Sequence, residues 1–459
     1  MDPEIFSQLE KITGKQGVLT SPEDLAVYSY DGTFEEGKPD VVVLPQTTSQ
    51  VSDILKLASR EKVPVVTRGM ASGLAAASIP FLGGIALVMT RMDKILEIDL
   101  ENAIVHVEAG VVTADLQSKV EKHGLFYPPD PSSIRHSTIG GNIACNAGGP
   151  RCLKYGVTGD YVLGLTVVLA DGRIFKTGGK VIKDVVGYDL KSLFTGSEGT
   201  LGVITEALLK LTAKPKFAQT ALVEFSSIEN ASKTVNAILM GGFVPATLEL
   251  MDQTAIQCIE AAMQLGLPTD AGALLLIESD GMELDQTHQE IDAIKKICEM
   301  YGATKISIAK DEQDRANLWK ARRSISPSLA RLSPNKLGED ITVPRNNIPD
   351  AVKGLKAISA RYGLPIVIFG HAGDGNLHPN ILFDKRNPEH MQKIEKMVAE
   401  EFELALSLNG TLSGEHGVGT LKRPYMHKAL GDVSIDIHKN LKKALDPLNI
   451  LNPGKVIPD

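Results

Sequence analysis

Short apolar runs alternate with stretches of helical periodicity near the start of the chain. The run at 41–44 predicts a strand, and the run at 63–67, rich in β-branched residues, predicts another. Between them, apolar positions at 49–61 recur with helical spacing. This order predicts a βαβ unit, with Arg68 and Gly69 directly after its second strand.

The pattern then changes to strands with turns between them. We predict strands at 104–108 and 163–170, and Asp171 and Gly172 after the second strand are a β-hairpin signal. The segment 127–149 is dense in proline, glycine, serine and asparagine and has little periodicity. We expect a long loop there, and loops of this length inside a compact domain are usually functional.

A domain boundary is predicted near 213–216, where a polar stretch containing proline follows a strand at 207–211. Beyond it the alternation starts again. We predict strands at 221–225, 246–251, 273–279 and 304–309 and helices at 226–240 and 284–300. This order resembles a split βαββαβ sandwich with an antiparallel sheet.

At 459 residues the chain is too long for one hydrophobic core. Helices are predicted at 311–332 and 348–362, and a strand at 365–369 leads into a histidine motif. We expect the C-terminal segment to pack back on the first domain and to complete the active site. The predicted fold is α+β, and its parts are domains at 1–215 and 216–410 and a C-terminal segment at 411–459.

Composition and charge exclude several classes of protein. A hydrophobic fraction of 43% with 23% charged residues describes a globular chain. The formal net charge of -8, with no basic cluster, argues against nucleic acid as a partner. The first seven residues are acidic where a secretory signal is basic, and no apolar run is long enough to span a bilayer. We expect a cytoplasmic protein, not an integral membrane protein, that can dock on a membrane-associated electron-transfer complex.

The chain has four cysteines, too few for a disulfide framework in a protein of this size. They also lack the clustered spacing that iron–sulfur clusters require. Redox chemistry in this chain must therefore use another cofactor, and any iron–sulfur cluster must lie on another polypeptide.

Two glycine-rich segments in the last third contain histidines and a carboxylate. The first contains His371 and His378, and the second contains Glu415 and His416. Two imidazole nitrogens and a carboxylate oxygen form a metal triad that leaves coordination positions open, and this ligand type favours zinc. His416, adjacent to a ligand, is placed to accept a proton near neutral pH.

The first histidine pair is weak evidence when taken alone. On one extended strand an odd spacing points two side chains to opposite faces, so 373–375 must turn or bulge for both histidines to meet one ion. Scattered structural histidines are the alternative interpretation, and the second segment weighs against it.

Three segments of the first domain are rich in glycine and other small residues. The first, 68–73, follows a strand, and its N–H groups and Arg68 can cradle a pyrophosphate. The others are 137–149 and 195–205. Singly, each is weak evidence and is better explained by turns, and none matches the G-x-G-x-x-G nicotinamide fingerprint. Their occurrence together, in this order, is stronger evidence for a nucleotide cofactor.

These motifs resemble the FAD-binding domain of the vanillyl-alcohol-oxidase (p-cresol methylhydroxylase) superfamily. The resemblance rests on the three glycine-rich segments and on the motifs at 128–131 and 154–156. The histidine motifs narrow it to the D-2-hydroxyacid dehydrogenase branch, which includes glycolate oxidase flavin subunits and D-lactate dehydrogenases. It covers nearly the whole chain. It implies a two-part FAD-binding domain and a ferredoxin-like α+β cap domain that builds the substrate site on an antiparallel sheet.

The resemblance also implies roles for individual residues. His371, His378 and Glu415 match the metal ligands of the family. His416 matches its catalytic base, and Arg322 matches its carboxylate-binding arginine. The other substrate contacts that it implies are Ser326, Lys336 and Asn380. The residues that it implies for FAD binding are Arg68, Gly69, Met70, Ala71, Ser72, Gly73, Pro129, Ser137, Thr138, Gly141, Asn142, Ala144, Asn146, Glu198, Gly199, Gly202, Ile204 and Asn452.

Two departures from the family pattern concern the first glycine-rich segment. The family often has glycine and threonine where this chain has Ala71 and Ser72, and further glycines at Ala76 and Ala77. Because alanine resists positive φ, we expect this loop to sit differently or to bind FAD less tightly. The segment contains no histidine, which argues against a covalent flavin link there.

The implied reaction is oxidation of a small D-2-hydroxy acid, glycolate or D-lactate, to the 2-oxo acid. Arg322 binds the substrate carboxylate, a divalent metal lowers the pKa of the hydroxyl, and His416 removes its proton while hydride leaves for FAD. Reduced FAD then needs a separate acceptor, which is an electron-transfer flavoprotein, an iron–sulfur subunit or a quinone.

Two other functions remain open from the sequence. A flavin-carrying subunit that only relays electrons within a complex has no use for the histidine and glutamate motifs. A metal-dependent hydrolase has no use for the three glycine-rich segments. The sequence does not choose among glycolate, D-lactate and larger D-2-hydroxy acids.

Overall fold

A computed structural model describes residues 1–458 and divides into two compact units. The first unit comprises 1–148, 157–214 and the described residues from Glu415 onward. The second comprises Gly149–Gly156 and Pro215–Gly414. The short piece 149–156 belongs to the second unit because Lys154 Nζ lies 2.5 Å from Asp280 Oδ1 and the Tyr155 hydroxyl donates to Asp280 Oδ2 at 2.8 Å.

Helices and strands alternate along both units. The helices are α1 Pro3–Thr13, α2 Pro22–Val27, α3 Thr48–Glu61, α4 Thr113–Glu121, α5 Ile139–Cys145, α6 Cys152–Tyr155, α7 Leu190–Phe194, α8 Ile228–Met240, α9 Gln253–Met263, α10 Leu284–Met300, α11 Glu312–Arg323, α12 Ile325–Leu329, α13 Ile348–Tyr362, α14 Pro388–Ser407, α15 Met426–Leu430 and α16 Asp432–Leu445. The strands are β1 Val18–Leu19, β2 Val41–Val43, β3 Val65–Arg68, β4 Ile85–Val88, β5 Ile95–Asp99, β6 Ile104–Glu108, β7 Leu125–Phe126, β8 Val162–Val168, β9 Ile174–Gly178, β10 Val203–Lys210, β11 Thr212–Ala213, β12 Phe217–Phe225, β13 Thr247–Asp252, β14 Ala273–Gly281, β15 Ala303–Ile308, β16 Asn335–Gly338, β17 Ile341–Thr342, β18 Ile366–His371 and β19 Asn376–Phe383.

The first sheet of the first unit has the order β1-β2-β4-β3. The predicted βαβ unit is present, but β4 lies between its two strands, since Val41 and Val65 both pair in parallel with Ile85. Helix α3 begins at a cap in which the Thr47 hydroxyl accepts from the Gln50 N–H. Its Ile54 is fully buried in the core beside the sheet.

The second sheet of the first unit is antiparallel, with the order β5-β6-β10-β8-β9. The predicted hairpin between β8 and β9 is confirmed, and Gly172 takes the positive φ of +82° that its turn requires. The expected long loop is wrong in one respect, because 127–149 contains α5. The Thr138 hydroxyl accepts from the Gly141 N–H to cap this helix, which buries Ile139 and Ile143.

The second unit contains one eight-stranded sheet, with the order β15-β12-β14-β13-β18-β19-β16 and with β17 also paired to β19. Its four predicted N-terminal strands and both predicted helices are present, with ends within four residues of those expected. Helix α9 was not predicted. The expected helix at 311–332 is two helices that meet at Ser324. Pro327 provides a physical reason, because it has no N–H to donate to the Arg323 carbonyl one turn earlier.

Of the helices in residues 1–458, none combines the length and the apolar character that a membrane crossing requires.

Candidate active site

The first and second glycine-rich segments meet in the first unit. The loop after β3 passes so close to the start of α5 that a Cβ on Gly69 would lie 2.2 Å from the Thr138 hydroxyl. Only glycine fits this approach. Arg68 is buried, its Nη1 donates to the Tyr28 carbonyl at 2.9 Å, and its Nε–H has no partner among the described residues. A buried guanidinium with an unused donor beside a glycine loop fits a phosphate-bearing ligand.

The alanines in and just after the first segment do not prevent positive φ. Ala71 and Ala76 have φ of +55° and +58°, in the left-handed region that glycine favours. The backbone takes the glycine-like conformation at both positions although alanine resists it, and the expectation that the loop sits differently stays a prediction. The expected change in FAD affinity stays a prediction.

Six of the predicted cofactor residues lie in helix α5, at its two caps or directly before the first cap. The Ser137 and Thr113 hydroxyls lie 2.9 Å apart, and the Asn142 amide donates to the Thr113 hydroxyl at 2.7 Å. Asn146 ends the helix with a φ of +50°, and its Oδ1 accepts from the Gly159 N–H at 2.8 Å. The six residues are Ser137, Thr138, Gly141, Asn142, Ala144 and Asn146.

The third glycine-rich segment is fixed against α5 and the C-terminal part of the first unit. The Glu198 N–H donates to the Ala144 carbonyl at 2.8 Å, and its carboxylate accepts from the Val418 and Gly419 N–H groups at 2.7 and 2.8 Å. Burial raises the pKa of Glu198. These contacts give Glu198 a structural role, and its direct contact with FAD stays a prediction.

The remaining predicted cofactor residues are distributed around these loops. The Pro129 carbonyl accepts from the Gln117 amide at 3.0 Å, and Gly202 packs against Phe194 and Val167. Ile204 is buried in β10, whereas Met70 is 47% exposed. Gly199 has a φ of +70°. Ser72 and Gly73 follow Ala71 in the same loop.

Asn452 and Lys455 connect two of the loops, and sequence reasoning missed Lys455. The Asn452 amide donates to the Ala77 and Glu198 carbonyls at 3.0 and 2.7 Å. The buried Lys455 ammonium donates to Asn452 Oδ1 at 2.7 Å and to the Ile79 carbonyl at 2.5 Å. We call Asn452 and Lys455 the C-terminal clamp. The sequence feature that could have indicated Lys455 is its position directly after the glycine of the Asn-Pro-Gly sequence at 452–454.

We expect Lys455→Met to destabilise the first unit by about 1–3 kcal/mol, because it leaves buried acceptors without a donor. Burial lowers the pKa of Lys455 from 10.5 to about 7, so the folded side chain loses its proton at a pH where the unfolded one keeps it. Unfolding between these pH values therefore takes up a proton. The contribution of Lys455 to the free energy of unfolding consequently grows as pH rises from about 7 to about 10 and is smaller below pH 7.

Thermal unfolding of wild type and Lys455→Met at pH 6 and pH 9 tests this sign. The gap in Tm must be larger at pH 9, and Lys443→Met, at an exposed position of α16, must match wild type at both pH values. An equal gap at both pH values contradicts the assignment.

In the second unit, β18 and β19 form a hairpin that places two histidines together. The required turn at 372–375 is present, and the register pairs His371 with Asn376 and Phe369 with His378. Opposite residues and residues two apart share a sheet face, so both imidazoles lie on one face. Their ring centroids are 5.1 Å apart. The prediction that a turn resolves the odd spacing is confirmed.

Glu249 on β13 is a functional candidate that sequence reasoning missed. Its side chain is fully buried, with Oε1 2.5 Å from His371 Nδ1 and Oε2 accepting from Arg322 Nε at 2.5 Å. Burial opposes its ionisation, but the charges of Arg322 and His371 hold the pKa of Glu249 below its usual value. Because His371 Nδ1 faces Glu249, Nε2 is the ring nitrogen that could hold a metal, as in carboxylate–histidine–metal arrangements.

Asp340 is a carboxylate beside His378, but at a distance beyond a direct hydrogen bond. Its Oδ1 lies 3.8 Å from His378 Nδ1 and accepts from the Asn376 amide at 2.6 Å. Its Oδ2 accepts from the Gly414 N–H at 2.9 Å. Two histidines, each with a carboxylate facing Nδ1, form a donor set that fits a divalent metal.

The predicted substrate residues lie on or beside the same sheet. Arg322 is 8% exposed, and its guanidinium lies 4.9 Å from the Phe369 ring centroid. Lys336 donates to the Ser326 hydroxyl, and burial lowers the pKa of Lys336. Asn380 is buried two residues beyond His378 on β19. The structure therefore brings Arg322 and His371 together through Glu249 in the buried part of the second unit.

Glu415 and His416 belong to the first unit and are partly buried. They follow Gly414 directly in the sequence. Their roles as third metal ligand and base stay predictions.

Two sequence families match most of the chain. Residues 39–178 match the family described as FAD binding domain, and residues 214–456 match FAD linked oxidases, C-terminal domain. The chain therefore belongs to the FAD-linked oxidases and is a FAD-dependent oxidoreductase. This confirms the resemblance and the prediction of FAD as cofactor.

Relatives and solved structures narrow the comparison. Glycolate oxidase subunit GlcD of Bacillus subtilis (strain 168) is 47% identical over 454 residues, 99% of this chain and 96% of that protein. D-lactate dehydrogenase of Anaerostipes hadrus is 34% identical over 463 residues, which cover 99% of this chain and 97% of that protein. The structure of p-cresol methylhydroxylase with substrate bound has a TM-score of 0.85 at 18% identity, covering 99% of this chain and 96% of that one. Because the sequence identity to p-cresol methylhydroxylase is only 18%, this similarity supports the predicted α+β fold and says nothing about function.

Proposed function

We propose that the protein oxidises a small D-2-hydroxy acid, glycolate or D-lactate, to its 2-oxo acid and passes the electrons to a separate acceptor protein or quinone. The observation that carries the proposal is the buried contact of Glu249 with both Arg322 and His371. It joins a carboxylate-binding group to a metal-binding group, as a substrate with adjacent carboxylate and hydroxyl requires. Relatives named for glycolate oxidation and for D-lactate oxidation support the same substrate class.

The proposed roles follow from the chemistry of each side chain. Arg322 binds the substrate carboxylate through Nη1 and Nη2, because Glu249 already holds Nε. His416 accepts the hydroxyl proton. His371, His378 and Glu415 hold a divalent metal, zinc by ligand type, and Lys336, Ser326 and Asn380 contact the substrate. When bound, the metal polarises the hydroxyl and FAD accepts the hydride.

The acceptor, the cytoplasmic location and the metal are parts of the proposal. The four cysteines are spaced too far apart to bind a cluster, which supports an acceptor on another polypeptide. A panel of 2-hydroxy acids with an artificial dye acceptor tests the reaction directly. Bleaching of the flavin by glycolate or D-lactate without any partner supports it. A flavin that no 2-hydroxy acid bleaches favours a relay subunit instead, and rapid NADH formation contradicts the lack of a nicotinamide site.

We expect the protein to purify yellow, with FAD bound non-covalently, because 68–73 contains no histidine. Acid precipitation should leave the flavin absorbance in the supernatant. Flavin that remains with the precipitated protein contradicts this prediction.

Arg322→Met is expected to weaken capture of 2-hydroxy acids. A lost charge-assisted pair with a desolvated partner costs on the order of 2–5 kcal/mol. The Kd obtained from flavin reduction rates at several substrate concentrations measures this loss. The matched control is Arg323→Met, one residue further along α11 and exposed, which should leave the Kd unchanged. Because Arg322→Met also leaves Glu249 with one partner fewer, its Tm and FAD content must be compared with wild type. An unchanged Kd in a folded variant removes Arg322 from the substrate site.

A further inference from the structure

Helix α11 is attached to the sheet of the second unit at a second point, one turn before Arg322. The Trp319 Nε1–H donates to Glu278 Oε2 at 2.7 Å, and Glu278 is buried on β14. Residues three apart lie on the same side of a helix, so Trp319 and Arg322 both point toward the sheet. The chemistry proposed above uses Arg322 and Glu249 and gives Glu278 no part.

The two carboxyl groups that hold α11 are neighbours on one face of the sheet. In the antiparallel pair β13–β14, Thr247 lies opposite Glu278, and Glu249 lies two residues beyond Thr247 on the same face. Diagonal neighbours of this kind are about 7–8 Å apart. Because Cβ atoms three residues apart on a helix are about 5–6 Å apart, Glu278 and Glu249 can hold Trp319 and Arg322 at the same time.

The contact with Glu249 alone does not fix the helix. It is made by Arg322 Nε, near the end of a long side chain with many rotamers, so α11 can rotate about its axis while this bond persists. The tryptophan ring is rigid and has only two side-chain torsions, so its bond to Glu278 constrains the rotation of α11 more directly. Together, the two contacts determine where the Arg322 guanidinium points.

Packing alone does not require a carboxyl group at position 278. Glu278 Oε2 accepts from two neutral donors, the Trp319 Nε1–H and the Thr220 hydroxyl, each at 2.7 Å. Replacement of such a buried group and its partners by apolar side chains of the same shape is often nearly neutral for stability. What the carboxyl group adds is a single arrangement of the residues around it, here the placement of α11.

We propose that Glu278 is a positioning residue for the oxidation of 2-hydroxy acids: through Trp319 it fixes the rotation of α11 and directs the Nη atoms of Arg322 toward the substrate carboxylate. This inference rests on the proposed function, which assigns that carboxylate to Arg322. Because Glu278 acts through Trp319 and not on the substrate itself, its loss acts on substrate binding before it acts on hydride transfer.

Stopped-flow reduction of bound FAD by D-lactate and by glycolate, at several concentrations, separates the Kd from the limiting rate. Glu278→Met removes the acceptor at similar volume, and Trp319→Phe removes the donor. Each should raise the Kd by about tenfold or more and leave the limiting rate within about threefold of wild type. The double variant should raise the Kd no further than either single one, because both remove the same contact.

Two control variants distinguish positioning from a merely structural role. Glu278→Gln keeps an oxygen that accepts from Trp319 and should show a Kd within about twofold of wild type. Thr220→Val takes away the other donor to Glu278 Oε2 and should also leave the Kd unchanged, even where its Tm falls. An equal rise in Kd for Thr220→Val and Trp319→Phe overturns the proposal. So does a wild-type Kd in a folded Glu278→Met or, should that variant not fold, in Trp319→Phe.

Oxalate separates the failure of this inference from that of the proposed function. It has carboxylates for Arg322 and no C–H bond to oxidise, so its Kd, read from flavin absorbance of the holoprotein, measures binding without turnover. Failure of every 2-hydroxy acid to reduce the flavin overturns the proposed function. An equal oxalate Kd in wild type, Glu278→Met and Trp319→Phe overturns the positioning role whether or not a 2-hydroxy acid is oxidised, and so does a wild type that does not bind oxalate.

Discussion

His416→Ala is expected to slow reduction of bound FAD by D-lactate and by glycolate by about a hundredfold or more, because it removes the group that accepts the hydroxyl proton. Substrate affinity should change much less, since Arg322 and the metal ligands remain. Stopped-flow reduction at several substrate concentrations separates the limiting rate from the Kd. This split distinguishes His416 from Arg322, whose loss should act mainly on the Kd.

His427→Ala is the matched control for His416. This histidine lies in the same segment of the first unit, is 46% exposed and pairs with Asp432 at 2.9 Å. Its variant should reduce flavin at the wild-type rate. If His416→Ala also does so, the base lies elsewhere and the second histidine motif is not the catalytic centre.

Loss of the metal is expected to abolish turnover without releasing FAD. His378→Ala and exhaustive chelation should both lower dye-linked turnover by at least a hundredfold, because the substrate hydroxyl then keeps a pKa far too high for His416 to accept its proton. FAD should stay bound, because the glycine-rich loops and the C-terminal clamp belong to the first unit and His378 to the second. Elemental analysis of the metal and flavin absorbance, measured on the same sample, test whether the metal is lost and whether FAD stays bound.

His288→Ala provides the control for metal content, since this histidine is exposed on α10 of the second unit. It should keep the metal and full activity. Full activity in demonstrably metal-free wild type shows that His371 and His378 serve another purpose.

Sequence patterns located the histidine motif, the strands β2, β3, β6, β8, β10, β12, β13, β14, β15 and β18 and the helices α3, α8, α10 and α13, because each depends on local spacing. They did not reveal Glu249, whose partners Arg322 and His371 are far away in the sequence and meet it only through the sheet. The available signal was a charged residue in the fully buried strand β13, since such a residue needs a partner. Helix α9 was missed although Ala255, Ile256 and Ile259 recur with helical spacing.

Helix α5 was missed for a different reason. Gly140 and Gly141 lower its intrinsic helix propensity, and tertiary contact overrides this preference. A Cβ on Gly140 would lie 2.6 Å from the Ala109 Cβ, so the glycine is required for packing. The completeness of the metal triad stays a prediction because Glu415 belongs to the other unit.

The C-terminal clamp sets the order of events during biosynthesis. Asn452 and Lys455 fix the loops at Ala77, Ile79 and Glu198, yet the long part of the second unit, Pro215–Gly414, is translated between Glu198 and Asn452. A nascent chain that has emerged only as far as 214 therefore has the glycine-rich loops without the residues that hold them. Stable loading with FAD must then follow synthesis of the second unit, and ribosome-bound intermediates should acquire flavin only late in elongation.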